Sequence, residues 1–230
     1  MWNTYNLNEQ IQSLLKAYPS LAITKTDLKQ IRLKGTINIY RSACNYTLSK
    51  DYRIEIFLPV SDSALPKIMC TDNSVDINYP HRYVDGTLCL ETDTAIKFRF
   101  INGFDLVAWM NEYVETYFFS YEYYTRYGHF PFGDRSHGFL GVIESYQDIF
   151  EEQDYIKICA LLKYAAKNSY RGHIKCPCGS GLPLRKCHGE QLFSHMVDLQ
   201  KKSIIQNDYN MICKEVLAIE SAKFNSNTPK

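Results

Sequence analysis

Three groups of residues in this chain have the types and spacing that chemistry needs. The first is Cys89, set between Leu88 and Leu90, with His81 eight residues upstream in the run Tyr79-Pro80-His81-Arg82-Tyr83-Val84-Asp85-Gly86-Thr87-Leu88-Cys89-Leu90. Only about a few per cent of an ordinary thiol is ionised at neutral pH, yet cysteine is intrinsically a strong nucleophile. Cys89 is therefore either a nucleophile or a small packed hydrophobe. Imidazole titrates near neutral pH, so His81 can donate a hydrogen bond to an oxyanion or accept a proton. Asp85 sets up the turn before Gly86. The second group is His137 with Asp134 and Arg135, in a Gly-, Pro- and His-containing stretch over residues 128–146. It reads as a surface loop, or as a flap that completes a Cys-His-Asp constellation over Cys89. The third is Cys176-Pro177-Cys178-Gly179-Ser180-Gly181, closed by Cys187-His188. Three thiolates and one imidazole suit tetrahedral zinc, and Gly179 and Gly181 permit the tight turn around it. Four protein ligands leave no open coordination position, so Cys176, Cys178, Cys187 and His188 predict a structural site.

The elements that carry these groups follow from apolar periodicity. Leu7, Ile11, Leu14, Leu15 and Tyr18 predict a helix over residues 3–17, ended by Pro19. Ile31, Leu33, Ile37 and Ile39 alternate with polar residues, with Gly35 as a kink or bulge. Tyr52, Ile54, Ile56 and Leu58 alternate in a second run, residues 65–70 give another strand, and residues 75–77 continue extended. A helix followed by a meander of antiparallel strands is an α+β signature. Residues 90–103 read as irregular. Residues 104–127 predict a long core helix with an aromatic stripe, residues 146–170 a helix in which Cys159 is a packed thiol, and residues 190–224 a final helix before a frayed end at 225–230.

Composition narrows the function. Lys and Arg number 26 against 25 Asp and Glu, a net charge of +1, which argues against direct nucleic-acid binding by a general basic surface. No apolar run is long enough for a membrane span, and none near Met1 resembles a signal peptide. With eight cysteines and no secretory signal, the expectation is a cytoplasmic protein with reduced thiols.

Two resemblances sharpen the reading. The Cys-x-Cys-Gly-Ser-Gly opening and the Lys-Cys-His-Gly close at residues 176–189 resemble the SEC-C motif, which implies a small zinc-stabilised docking element. The order helix, strand meander, Tyr79-Pro80-His81, turn, Gly86-Thr87-Leu88-Cys89-Leu90, helix resembles the ubiquitin-conjugating (UBC) fold. Tyr79-Pro80-His81 lies on that family's His-Pro-Asn, and the segment ending Cys89-Leu90 on its catalytic cysteine segment, without a gap. The resemblance implies a conjugating domain over residues 1–146, a helical region with the zinc motif over 147–230, and a thioester carried on Cys89. His81 stands where the family has its oxyanion asparagine, which is similar to the divergent prokaryotic branch found in bacterial anti-phage (CBASS) systems. That likeness implies a cGAS-like nucleotidyltransferase or a ubiquitin-like C-terminus as partner. No nucleotide-binding loop is visible, so either a separate activating enzyme supplies the acyl donor or the mechanism is an unusual one. The competing readings are an inactive UBC-fold binding module and a papain-like cysteine hydrolase.

Overall fold

Alternating branched residues build one sheet. The computed structural model describes residues 7–60 and 64–226. Strands β1 (Leu21–Thr26), β2 (Gln30–Ala43), β3 (Tyr46–Pro59) and β4 (Lys67–Cys70) form an antiparallel meander in the order β1-β2-β3-β4. Ile31, Leu33, Ile37 and Ile39 of β2 and Leu48, Tyr52, Ile54, Ile56 and Leu58 of β3 are buried, the period-two pattern of a sheet with one covered face. The β2–β3 register runs unbroken from Gln30↔Pro59 to Ala43↔Tyr46. Its two-residue turn places Cys44 and Asn45 at φ 49° and 58°, the left-handed pair that matches strand twist. Gly35 is not a bulge, since β2 runs through it in register; the irregularity lies in β1, between Ile23 and Lys25. The reason for glycine is close approach, because a Cβ at position 35 would fall 1.9 Å from the Ser20 carbonyl oxygen.

Helix α1 (Leu7–Ala17) buries Ile11 and Leu14; residues 3–6 of the expected helix lie outside the described residues. The long aromatic helix is three joined pieces: α3 (Leu106–Trp109), a π-helical turn (Met110–Val114) and α4 (Glu115–Tyr127). Asp105 caps its start by accepting from Val107 N and Ala108 N, and Gly128 ends it in the left-handed conformation. Trp109, Val114 and Phe118 are fully buried, and Phe118 stacks on Tyr52 with centroids 4.0 Å apart. Tyr52 is inside the core, and its hydroxyl donates to Glu122 Oε1 at 2.7 Å. Residues 75–77 form no strand.

By contacts the chain divides into two compact units, Met1–Glu91 with Asn102–Asp134 and Thr92–Ile101 with Arg135–Lys230. The division is discontinuous in sequence. The second unit is helical: α2 (Asp93–Arg99), α5 (Gly138–Phe150), α6 (Tyr155–Lys167), α7 (Gly189–Val197) and α8 (Leu199–Ser226). Residues 93–99 are helical, capped by the Thr92 side chain, rather than irregular. The expected loop over 128–146 becomes helix α5 at Gly138, and Gly141 serves packing, since a Cβ there would lie 1.9 Å from the Ser136 carbonyl oxygen. The final helix is two, because Asp198 accepts from Gln200 N and Lys201 N and so caps a new start. Helix α8 continues through Ser226, so residues 225–226 are not frayed; residues 227–230 lie outside the described residues. Cys159 is exposed on α6 rather than packed. No helix among the described residues is long and apolar enough to cross a membrane.

The core of the second unit holds Tyr146, Phe150, Leu161, Leu162, Leu192 and Ile205. Within it Asp208 accepts from Thr94 Oγ1 and Tyr146 Oη, both at 2.8 Å. Burial raises this carboxyl above its usual range, against the pull of both hydrogen bonds.

Two outcomes follow. Gly35→Ala forces backbone against backbone and should cost about 3 kcal/mol, the upper end of ordinary overpacking, read as a lowered urea midpoint. The raised Asp208 carboxyl binds its proton more tightly in the folded chain, so its contribution to stability is lost as pH rises through the folded value. Asp208→Asn should therefore raise Tm relative to the parent at neutral pH and above, with the gain shrinking as pH falls toward the ordinary carboxylate range. A pH-independent difference would contradict the assignment.

Candidate active site and metal centre

The Cys89 segment is hung on the edge of the sheet. Leu88 N donates to Ile68 O of β4 at 2.9 Å, Met69 and Thr87 form an antiparallel bridge, and the Leu88 side chain is buried. The chain between His81 and Cys89 is a short hairpin. Cys89 N donates to His81 O at 2.8 Å, Tyr83 N donates to Thr87 O at 2.8 Å, and Arg82 bridges Leu88. Gly86 turns the tip at φ 85°. Asp85 accepts from Thr87 N at 3.0 Å and from Thr87 Oγ1 at 2.6 Å, and these bonds hold its carboxyl below the usual range. Asp85 thus has the turn-setting role expected of it.

The hairpin is anchored from below by Tyr79, which is 6% exposed. Its ring meets Tyr121 edge-on at 4.9 Å and Tyr117 at 5.8 Å. Tyr117 also donates its hydroxyl to His81 O at 3.1 Å. Tyr79 is therefore a packing residue, and burial lifts its phenol above the ordinary value.

These anchors bring His81 and Cys89 together, with a ring nitrogen and Sγ within 4.8 Å. His81 Nε2 lies 3.0 Å from Asp134 Oδ1. Tyr83 Oη donates to Cys89 Sγ at 3.2 Å. Sequence reasoning grouped Asp134 with His137, whereas the structure pairs it with His81. Tyr83 was missed, although a signal existed: on one arm of a hairpin residues 81 and 83 share a face, and 89 pairs across from 81. His137 belongs to the second unit, as the extended residue before α5, with φ −88° and ψ 160°. Arg135 lies there too and pairs with Asp148 at 3.2 Å.

The second unit carries the candidate metal site. Ligand atoms of Cys176, Cys178, Cys187 and His188 all lie within 4.8 Å of one another, so the group can hold a metal ion such as zinc. Cys178 Sγ is 3.6 Å from Cys187 Sγ, and His188 Nδ1 is 3.4 Å from Cys176 Sγ and 3.2 Å from Cys187 Sγ. With metal–sulfur bonds of about 2.3 Å, a tetrahedron has sulfur–sulfur edges of about 3.8 Å, so the donors are nearly in place. Gly179 and Gly181 adopt φ 83° and 77°, which the turn between the cysteines requires. Burial pushes the Cys176 thiol up to about 11. Burial also opposes ionisation of Cys178, but hydrogen bonds from Ser180 and the neighbouring thiols bring it down to about 6. A bound cation would let all three thiols ionise together. His188 Nε2 lies 3.4 Å from Glu152 Oε2, the carboxylate that fixes the tautomer with Nδ1 facing the metal position. Glu152 lies 36 positions before His188 in the sequence, and nothing in that spacing reveals it.

Purified protein is expected to hold one zinc per chain, measured by atomic absorption. Cys187→Ser should abolish binding and lower the Tm of the second unit, as should a strong chelator. Glu152→Gln should weaken zinc about 10- to 100-fold; an unchanged affinity would show that Glu152 does not support His188.

No family model matches the chain, and no curated protein or solved structure matches it significantly.

Proposed function

We propose that the protein is a cysteine acyltransferase of the ubiquitin-conjugating type, with Cys89 as the acyl carrier. One observation carries the reading: a hairpin fastened to the edge of a helix-plus-meander sheet sets Cys89 Sγ beside His81, with a hydroxyl donated to the sulfur. The element order and the run Tyr79-Pro80-His81 to Cys89-Leu90 support the same reading by their resemblance to conjugating enzymes. The papain-like alternative is disfavoured, because Cys89 lies outside any helix and cannot sit at the first turn of one.

The chemistry is an acyl exchange. The Cys89 thiolate attacks the carbonyl carbon of an activated C-terminus, an adenylate or a thioester made by a separate activating enzyme. A C–S bond forms, the oxyanion collapses, and AMP or the donor thiolate leaves. An amine on the target then displaces Cys89, forming an amide. His81 and His137 are the two histidines whose substitution tests oxyanion donation or proton transfer in these steps. The target implied by the resemblance is a cGAS-like nucleotidyltransferase, in bacterial anti-phage defence. The Cys176, Cys178, Cys187 and His188 group is read as structural zinc in a SEC-C docking element.

Co-expression with the proteins encoded beside it provides the test. Wild type should give a Cys89-linked adduct released by reducing agent. Cys89→Ser should give an adduct that resists reduction, since an oxyester replaces the thioester, and Cys89→Ala should give none. Conjugation that survives Cys89→Ala would sink the proposal in favour of a non-catalytic binding module.

A further inference from the structure

The loop after α4 is built to hold one carboxylate still. Phe130 stacks on Tyr124 at 4.6 Å with planes 23° apart, and Phe132 stacks on Phe119 at 5.8 Å with planes 29° apart. Between and after these two anchors come Pro131, Gly133 at φ 85°, and Asp134. Phe130 also meets the His81 ring edge-on at 5.1 Å. The loop thus fixes both the ring and the carboxylate that faces it, with Asp134 Oδ1 3.0 Å from His81 Nε2. The two partners differ in exposure. The His81 side chain is 16% exposed and that of Asp134 is 55% exposed, so the carboxylate is not held there by core packing of its own.

We infer that Asp134 is a positioning residue that orients His81 as the proton acceptor when an amine attacks the Cys89 thioester. The inference rests on the acyl-carrier reading and deepens it. With Nε2–H directed to Asp134, the lone pair of the neutral imidazole resides on Nδ1. The carboxylate also stabilises the imidazolium that forms when that nitrogen takes a proton. The step balances as follows. The amine nitrogen bonds to the thioester carbonyl carbon while the carbonyl π pair moves to oxygen. His81 Nδ1 takes the N–H proton. The oxyanion then collapses, the C–S bond breaks, and its electron pair leaves on Cys89 Sγ. There the Tyr83 hydroxyl, already a donor to the sulfur at 3.2 Å, stabilises the departing thiolate. Within this unit the titratable groups around the His81 ring include Asp134 from the loop, Cys89 from the opposite arm and Tyr79, 5.7 Å away ring to ring. Among these Asp134 is the carboxylate, and it faces Nε2.

The test uses the full zinc-loaded chain and a peptide thioester ending in glycine, which loads Cys89 by thiol exchange without any partner. Loading at Cys89 is read by peptide mass spectrometry, and single-turnover discharge to semicarbazide, an amine already neutral throughout, is followed from about pH 6 to about pH 9. Wild type should show a discharge rate that rises through one titration step and then levels. His81→Ala should lose the step. Asp134→Asn, once loaded at Cys89, should discharge about 10- to 100-fold more slowly, within the range of general-base effects, and shift or abolish the step with Tm unchanged. Asp134→Glu should restore part of the rate, and it stands in should the Asn variant fold poorly. An Asp134→Asn variant with the wild-type rate and pH profile overturns the inference and leaves the carrier reading intact. Failure of the wild type to form any thioester at Cys89 overturns both.

Discussion

Everything chemical in the first unit depends on main-chain hydrogen bonds at one sheet edge. Strand β4 is four residues long and is the last of the meander, so its outer carbonyls and amides need partners. The segment at Thr87 and Leu88 supplies them. That pairing fixes Leu88, Leu88 fixes Cys89, and the Cys89 amide fixes His81 through its carbonyl. A side-chain constellation held by backbone bonds tolerates sequence change around it, because no single side chain determines the path. What it does not tolerate is a change in hairpin length, which would slide Cys89 past His81.

The two candidate centres are built by opposite strategies. The cysteine–histidine pair is positioned by a sheet edge and by aromatic rings packed beneath and beside it, and its reacting atoms are left partly open. The Cys3His group is positioned by local turns within fourteen residues, from Cys176 to Gly189, and further support comes from Glu152 in the connection between α5 and α6. The first arrangement suits a nucleophile that must meet a carbonyl. The second suits a cation that must stay.

How far the sequence was legible follows from range. The meander was readable because β2 and β3 bury every second residue over long runs, and the metal ligands because three cysteines and a histidine fall so close together. The hairpin turn at Asp85-Gly86 was readable from residue type alone. The short helix α2 was hidden because seven residues hold barely two turns, too few for a period to show. Gly141 disguised the start of α5, since a glycine required for close packing and a glycine in a loop look alike in one sequence. The partner of Asp134 was not legible at all. It is chosen by where Phe130 and Phe132 dock, and that is a long-range fact. The same holds for Glu152, whose service to His188 appears only once the helices have packed.

The π-helical turn at Met110–Val114 has a consequence of its own. A turn of this kind holds one residue more than an α-helical turn, and each residue advances a helix by about 100°. Everything downstream is therefore set in phase by that extra residue: Tyr117 under the His81 carbonyl, Phe118 on Tyr52, Phe119 beneath Phe132, Tyr121 against Tyr79. A chain one residue shorter there could still form a smooth helix of good propensity. It would present a different quarter of its circumference to the sheet, and the cysteine hairpin would lose the aromatic floor on which it stands.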